Sequence, residues 1–111
     1  MTRRSLFILI FLLAISFTEI VSQDNFRVMF YNVENLFDTN DNPEKDDDDF
    51  LPEGFMHWTP WKYWKKLRNI TSVITAVGGM QSPALVGLCE VENDSVIIDL
   101  INYSPLRAQG Y

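Results

Sequence analysis

Two stretches of the sequence end a largely apolar run in a side chain that carries oxygen. Residues 84–88 lead through Cys89 into Glu90, and residues 26–31 lead directly into Asn32. Charge is costly inside a core unless it is paired or binds a cation. A Glu at the end of a buried strand therefore either begins an ordinary exposed turn or serves as a ligand. Two such strands could bring Asn32 and Glu90 to one point.

Two strands and a helix between them must position these side chains. We predict a first strand over residues 25–31, because Phe26, Val28 and Phe30 alternate with Arg27, Met29 and Tyr31. Both faces are largely apolar, which suits a strand covered on both sides. If the extended backbone persists, Glu34 points the same way as Asn32, because side chains alternate with period two. The second strand is predicted over residues 84–90.

The clearest predicted helix covers residues 59–77. Its boundary signals are Thr59 as a cap, Pro60 in the first turn, and Gly78 and Gly79 at the end. Its buried stripe is Trp64, Leu67, Ile70, Ile74 and Val77. The basic residues lie mostly off this stripe, where they form a solvated face or contact a phosphate backbone. A shorter helix, capped by Asp94 or Ser95, is predicted to reach Tyr103.

The composition allows one small domain. The chain has 111 residues and a formal net charge of −6, which gives no electrostatic footprint for tight non-specific binding to nucleic acid. A polyanionic substrate stays open, since a metal ion supplies its own positive charge. One cysteine, Cys89, rules out an internal disulfide and is expected to pack as a small apolar residue.

Residues 1–23 are predicted to be a secretory signal peptide, and residues 24–111 the domain itself. Arg3 and Arg4 precede an apolar stretch over residues 6–17, which is too short for a good membrane span. An uncleaved N-terminal anchor is the alternative. Either way the domain is expected to be secreted or periplasmic, with no stable membrane span after cleavage. The oligomeric state stays open.

Residues 36–54 are predicted to be a strongly acidic loop. The run from Asp46 to Asp49 invites a calcium-binding interpretation. The EF-hand pattern fails, however, because Pro43 stands where Gly is needed and Asp49 where Glu is needed. The simpler interpretation is a solvated loop that self-repulsion holds extended.

Residues 30–38, Phe-Tyr-Asn-Val-Glu-Asn-Leu-Phe-Asp, and residues 85–93, Leu-Val-Gly-Leu-Cys-Glu-Val-Glu-Asn, resemble the first two motifs of the endonuclease/exonuclease/phosphatase superfamily. This is the fold of deoxyribonuclease I and the exonuclease III-type nucleases, and the chain looks like its secreted bacterial branch. The resemblance extends roughly over residues 26–111. It implies an α+β fold, part of a four-layer α/β/β/α sandwich.

The resemblance also implies a metal-dependent phosphoesterase or endonuclease that hydrolyses phosphate esters with Mg²⁺ or Mn²⁺. Glu90 matches the metal-binding Glu of the family. Asn32 matches the Asn that orients the phosphate or the surroundings of the metal, and Glu34 falls where some members carry a second acidic group near the metal. The implied substrate is a phosphodiester or phosphomonoester, with DNA, RNA, lipid head groups and sugar phosphates all open.

The later motifs of the family, an activating Asp, an Asp-Asn pair and an Asp-His pair, have no counterpart here. His57 lies between the first two motifs and is expected to be structural or on the surface. We therefore expect an N-terminal portion of a longer enzyme, unstable and inactive by itself. The alternatives are a non-catalytic secreted binding domain and a calcium-binding module that uses Asp46 to Asp49.

Overall fold

The computed structural model describes residues 26–111. The predicted signal peptide lies outside these residues. The main elements are strand β1 (Val28–Leu36), helix α1 (Pro60–Gly78), strand β2 (Leu85–Val91) and helix α2 (Asp94–Tyr103), with short 3-10 helices at Asp48–Phe50 and Pro105–Gln109. This order confirms the predicted strand, helix, strand, helix arrangement and the α+β class.

The two strands lie side by side and run parallel. Val28 pairs with Leu85, Tyr31 with Leu88, and the ladder then reaches Asn32 opposite Cys89. Parallel neighbours need a long crossover connection, and α1 supplies it. Both strands therefore end at the same edge of the sheet, which places the two motifs together.

The extended backbone of β1 does not persist smoothly past Asn32. The pairing is irregular between Asn32 and Leu36, because Glu34 and Asn35 both adopt left-handed backbone angles, with φ of 58° and 55°. Both side chains are exposed, so the strict alternation breaks here. The condition for the period-two argument about Glu34, an extended backbone beyond Asn32, is therefore not met.

One face of the sheet packs against the helices and forms the core. Its buried side chains are Met29, Val33 and Leu36 from β1, Leu67, Ile70 and Ile74 from α1, and Val96 and Leu100 from α2. The predicted stripe of α1 is correct at its centre. At its ends Tyr63 is buried, Trp64 is only half-buried, and Val77 is 45% exposed.

The opposite face of the sheet carries exposed apolar side chains, chiefly Val28, Phe30 and Leu85. Within residues 26–111 no element packs on this face, so the cover over it stays a prediction that belongs to the longer enzyme expected from the sequence. Gly87 leaves room on this face, since a Cβ there would lie 2.8 Å from the ring of Phe30. The Phe30 ring accordingly lies against the backbone of β2.

The helix termini follow the predicted signals with two differences. Thr59 occupies the N-cap position of α1 but makes no capping hydrogen bond with its side chain. The cap of α2 is Asn93, one residue before the predicted position, and its Oδ1 accepts a hydrogen bond from the Val96 N–H at 3.1 Å. The predicted ends at Gly79 and Tyr103 are confirmed.

The acidic loop is folded rather than extended. Its backbone closes successive turns, including Phe50 N–H to the Asp47 carbonyl at 2.8 Å and Met56 N–H to the Asp49 carbonyl at 3.0 Å. Asp47 is buried. The expectation of a loop held extended by self-repulsion is therefore wrong, because backbone hydrogen bonds outweigh the repulsion between its carboxylates.

Over residues 26–111, no helix combines the length and the apolar character needed to cross a membrane.

Candidate active site

The structure brings Asn32 and Glu90 into direct contact at the shared edge of the sheet. Asn32 Nδ2 donates a hydrogen bond to Glu90 Oε1 at 2.6 Å, across 58 residues of sequence. Both side chains are exposed. The structure thus brings the two side chains to one point, as predicted, because the two strands pair in parallel.

The backbone around this pair is shaped to hold the Glu90 carboxylate. Glu90 itself has a left-handed φ of 61°, and its Oε2 accepts a hydrogen bond from Asn35 N–H at 3.1 Å. Asn32 Oδ1 accepts from Glu34 N–H at 2.8 Å. A left-handed backbone costs an L-residue about 1–2 kcal/mol, and such strain tends to collect at functional sites. Three strained residues surround one carboxylate here.

Lys66 of α1 stabilises the left-handed turn of β1 at Glu34 and Asn35. Its Nζ donates to the carbonyl oxygens of Glu34 and Asn35, the latter at 3.2 Å, and lies 5.5 Å from the centroid of the Trp58 ring. Burial lowers the pKa of Lys66, while the carboxylates of Glu34 and Glu90 oppose that shift. Lys66 thus holds the segment whose N–H group orients Glu90.

No signal in the sequence points to this role of Lys66, one of the basic residues of the helix that are expected to form a solvated face or to contact a phosphate backbone. Its partners are main-chain carbonyls, so no complementary side chain marks the contact. The contact also depends on the left-handed turn, which the alternating pattern did not predict.

The donor set fits a hard divalent cation. Each Glu90 oxygen accepts one hydrogen bond, and an ionised carboxylate offers about four lone-pair sites, so ligand capacity remains. The exposed Glu34 carboxylate accepts no hydrogen bond from residues 26–111. Mg²⁺ prefers carboxylate oxygen and usually keeps several waters. Glu90, Glu34 and Asn32 would therefore suffice as the protein ligands of a Mg²⁺ ion.

A second set of contacts fastens the ends of the two motifs to each other. Asp38 N–H donates to Glu92 Oε2 at 3.0 Å, and Asn93 Nδ2 donates to Asp38 Oδ2 at 3.1 Å. Glu92 N–H continues the sheet to the Leu36 carbonyl at 3.0 Å. Burial raises the pKa of Glu92, and the charges of Asp38 and Asp47 raise it further. These residues lie within the quoted motifs, although sequence reasoning assigned them no role.

Within residues 26–111, the side chains of the other chemically reactive residues, Cys89 and His57, make no hydrogen bond to Asn32 or Glu90. Cys89 is half-buried in β2, with its Sγ 4.0 Å from the Tyr31 carbonyl oxygen. His57 is exposed in the turn before α1, and its N–H donates to the Gly54 carbonyl at 2.9 Å. The positions of both side chains agree with the packing role expected for Cys89 and the surface role expected for His57.

An open cleft of about 500 Å³ adjoins Glu34 between β1 and the start of α1. Its walls are aromatic and basic, with Tyr31, Trp58, Trp61, Lys62, Lys65 and Lys66 among the lining residues. Lys65 Nζ lies 4.8 Å from the centroid of the Trp61 ring. The acidic chain therefore carries a locally basic surface next to its candidate active site.

Comparison with known proteins identifies the class. Residues 27–111 match the family described as the Endonuclease/Exonuclease/phosphatase family, and the chain belongs to this family. Membership suggests a phosphoesterase that uses a divalent metal. No curated protein and no solved structure gives a significant match to the chain.

Proposed function

We propose that this chain belongs to a secreted or periplasmic enzyme that hydrolyses phosphodiester bonds, acting as a nuclease with Mg²⁺ or Mn²⁺. The observation that supports this most directly is the 2.6 Å contact between Asn32 and Glu90, in a chain of this family, at the point where the regular pairing of the two parallel strands ends. Glu90 is the chief metal ligand, with Glu34 as a second acidic ligand and Asn32 beside the metal.

Each residue has a distinct task in this proposal. A bound metal ion would polarise the phosphoryl oxygen and stabilise charge on the leaving group. Asn32 uses one N–H of its amide to hold Glu90, which leaves the other N–H free to donate to a phosphate oxygen. An amide can do this without adding negative charge that would repel the substrate. Asn35 and Lys66 keep Glu90 oriented.

We propose further that the groups that activate water lie outside residues 26–111, so that these residues alone have no activity. In this part of the chain His57 is far along the sequence from both motifs and sits in an exposed turn. Glu90 and Asn32 can hold a metal and a phosphate, but neither is free to remove a proton from water while it serves as a ligand.

The test uses full-length protein and bis(4-nitrophenyl) phosphate with Mg²⁺ or Mn²⁺. We expect Glu90→Gln to lower kcat/KM by at least about 100-fold, the loss typical of removing one group that stabilises the transition state. Glu53→Gln is the matched control, since Glu53 is an exposed carboxylate of the acidic loop. Both variants should melt within a few degrees of the wild type.

Two results would contradict the proposal. Equal turnover by wild type and the Glu90→Gln variant would remove Glu90 from the active site. Absence of turnover in wild type, over both metals and over diester and monoester substrates, would favour the alternative of a non-catalytic binding domain.

The basic aromatic cleft beside Glu34 supports a polyanionic diester as the substrate, because lysines neutralise phosphates and aromatic rings stack on bases. We therefore expect nicking of plasmid DNA, or cleavage of RNA, to exceed hydrolysis of 4-nitrophenyl phosphate.

Secretion is tested separately by the mass of the mature protein, which should begin near residue 24.

A further inference from the structure

A second group of carboxylates lies in the loop between β1 and α1. One carboxylate oxygen from each of Asp41, Asp47 and Asp48 lies within 4.8 Å of the other two. The backbone turn from Asn42 to Lys45, closed by a 2.9 Å hydrogen bond, brings Asp41 back to the later residues. Asp46 and Asp49 are outside this group, so the contiguous run of the sequence is not the structural unit.

Asp47 supplies an independent observation at the centre of this group. The residue is 2% exposed, and its Oδ2 accepts a hydrogen bond from the Asn42 N–H at 3.2 Å. Oδ1 is buried and has no hydrogen-bond partner among residues 26–111. A buried carboxylate with an unpartnered oxygen costs free energy unless a cation or a donor compensates it.

The surrounding residues do not supply that compensation. The nearby Lys45 directs its Nζ to the main-chain carbonyl of Glu92 at 2.9 Å. Glu92 adds further negative charge, and its own Oε1 is also buried without a partner among the described residues. Asp47 and Glu92 thus each present an unsatisfied carboxylate oxygen, and Lys45 joins the loop of Asp47 to the main chain of Glu92.

We propose that Asp41, Asp47 and Asp48 bind a Ca²⁺ ion, which fastens the loop between β1 and α1 and is separate from the metal held by Glu90. Ca²⁺ takes oxygen ligands at about 2.3–2.6 Å, so two of its ligands can lie at most about 5 Å apart. The three carboxylate oxygens, all within 4.8 Å of one another, satisfy this limit. Mg²⁺ demands near-ideal octahedral geometry and loses its waters reluctantly, so it is less suited to three carboxylates of one loop.

The site is tested by thermal melting and calorimetric titration of full-length protein, treated with EDTA and dialysed. Ca²⁺ is added up to about 10 mM, because extracellular modules bind it with Kd values of about 0.1–1 mM. We expect the Tm to rise by several degrees, since a ligand that binds only the folded state stabilises it. Mg²⁺ at the same concentration should raise the Tm less.

Four variants identify the residues that are responsible for the response to Ca²⁺. Asp47→Asn and Asp48→Asn should each weaken the apparent Ca²⁺ affinity about tenfold or more, because ligand charge sets affinity in such sites. Asp48 is exposed, so its variant stays informative if Asp47→Asn fails to fold. Asp46→Asn, an adjacent equal change of charge, should retain the Ca²⁺ response, as should Glu90→Gln.

Several results would overturn the proposal. They are the absence of a Ca²⁺ response in wild type, an equal response to Mg²⁺, and an unchanged response in the Asp48→Asn variant. Loss of the response in Glu90→Gln would assign the ion to the other site. Because melting and calorimetry do not depend on turnover, failure of this proposal leaves the proposed hydrolase activity untouched.

Discussion

Replacing Tyr63 with Phe removes one hydroxyl from the core between α1 and α2. Tyr63 is 4% exposed, and its hydroxyl donates to Asp99 Oδ2 at 2.7 Å. A hydrogen bond to a charged group contributes about 1.5–3 kcal/mol. Asp99 is only half-buried, so water can replace the lost donor. We therefore expect Tyr63→Phe to lower the free energy of unfolding by about 1.5 kcal/mol near pH 8.

The difference between wild type and variant should disappear in alkali. Burial, and then the hydrogen bond to Asp99, raises the pKa of Tyr63 far above its ordinary value of 10.0. Above pH 10 the unfolded chain therefore releases this proton while the folded chain keeps it, which lowers the stability of wild type as pH rises. One unit above the ordinary pKa the loss is about 1.4 kcal/mol. The free energies of unfolding of wild type and of the Tyr63→Phe variant should then become equal near pH 11.

The assay is urea unfolding of full-length wild type and variant at pH 8, 9, 10 and 11, compared as differences so that shared alkaline effects cancel. Tyr103→Phe is the control, since Tyr103 is 70% exposed. Its difference from wild type should stay near zero throughout. A Tyr63→Phe difference that is absent at pH 8, or that stays constant up to pH 11, would refute the reasoning.

Two further predictions concern the positioning of the candidate site and its loop. Lys66→Met should lower kcat about 10–100-fold, as loss of a group that orients a metal ligand typically does, whereas the adjacent Lys65→Met should leave kcat nearly unchanged; equal kcat values for the two variants would contradict this. Gly54→Ala should lower the free energy of unfolding by about 1–3 kcal/mol, because the new Cβ would lie 2.0 Å from the Asp48 carbonyl oxygen; an unchanged urea midpoint would show that the loop can relax.

The sequence predicted the elements well, because hydrophobic periodicity and boundary residues are local signals. Residues 59–77 carry helical spacing and a terminal Gly pair, and the structure has α1 over Pro60–Gly78. The predicted end of β2 at Glu90 lies one residue from the observed end at Val91, whereas β1, predicted to end at Tyr31, continues to Leu36. Asn32 and Glu90 nevertheless meet, because the regular pairing of β1 with β2 ends at Asn32. The catalytic and metal-binding roles of these two residues stay predictions.

The rest depended on contacts that no local pattern records. The left-handed angles of Glu34 and Asn35 are set by Lys66 and by the Glu90 carboxylate, which lie 31 to 55 residues away. The burial of Asp47 follows from the folding of its loop, whereas a run of Asp residues by itself indicates only exposure. Such features require the tertiary structure.

The parallel pairing of β1 and β2 has a consequence for the order of folding. The Asn32–Glu90 contact spans 58 residues, and parallel strands pair only after the intervening crossover has been brought round. Non-local pairing of this kind is slow, because the entropy of loop closure is lost before the contacts form. A chain that emerges from its N-terminus exposes the unpaired edge of β1, together with Met29 and Val33, which are buried only in the folded chain, until α1 and β2 arrive. The site therefore assembles late, and the unpaired β1 is open to aggregation during synthesis.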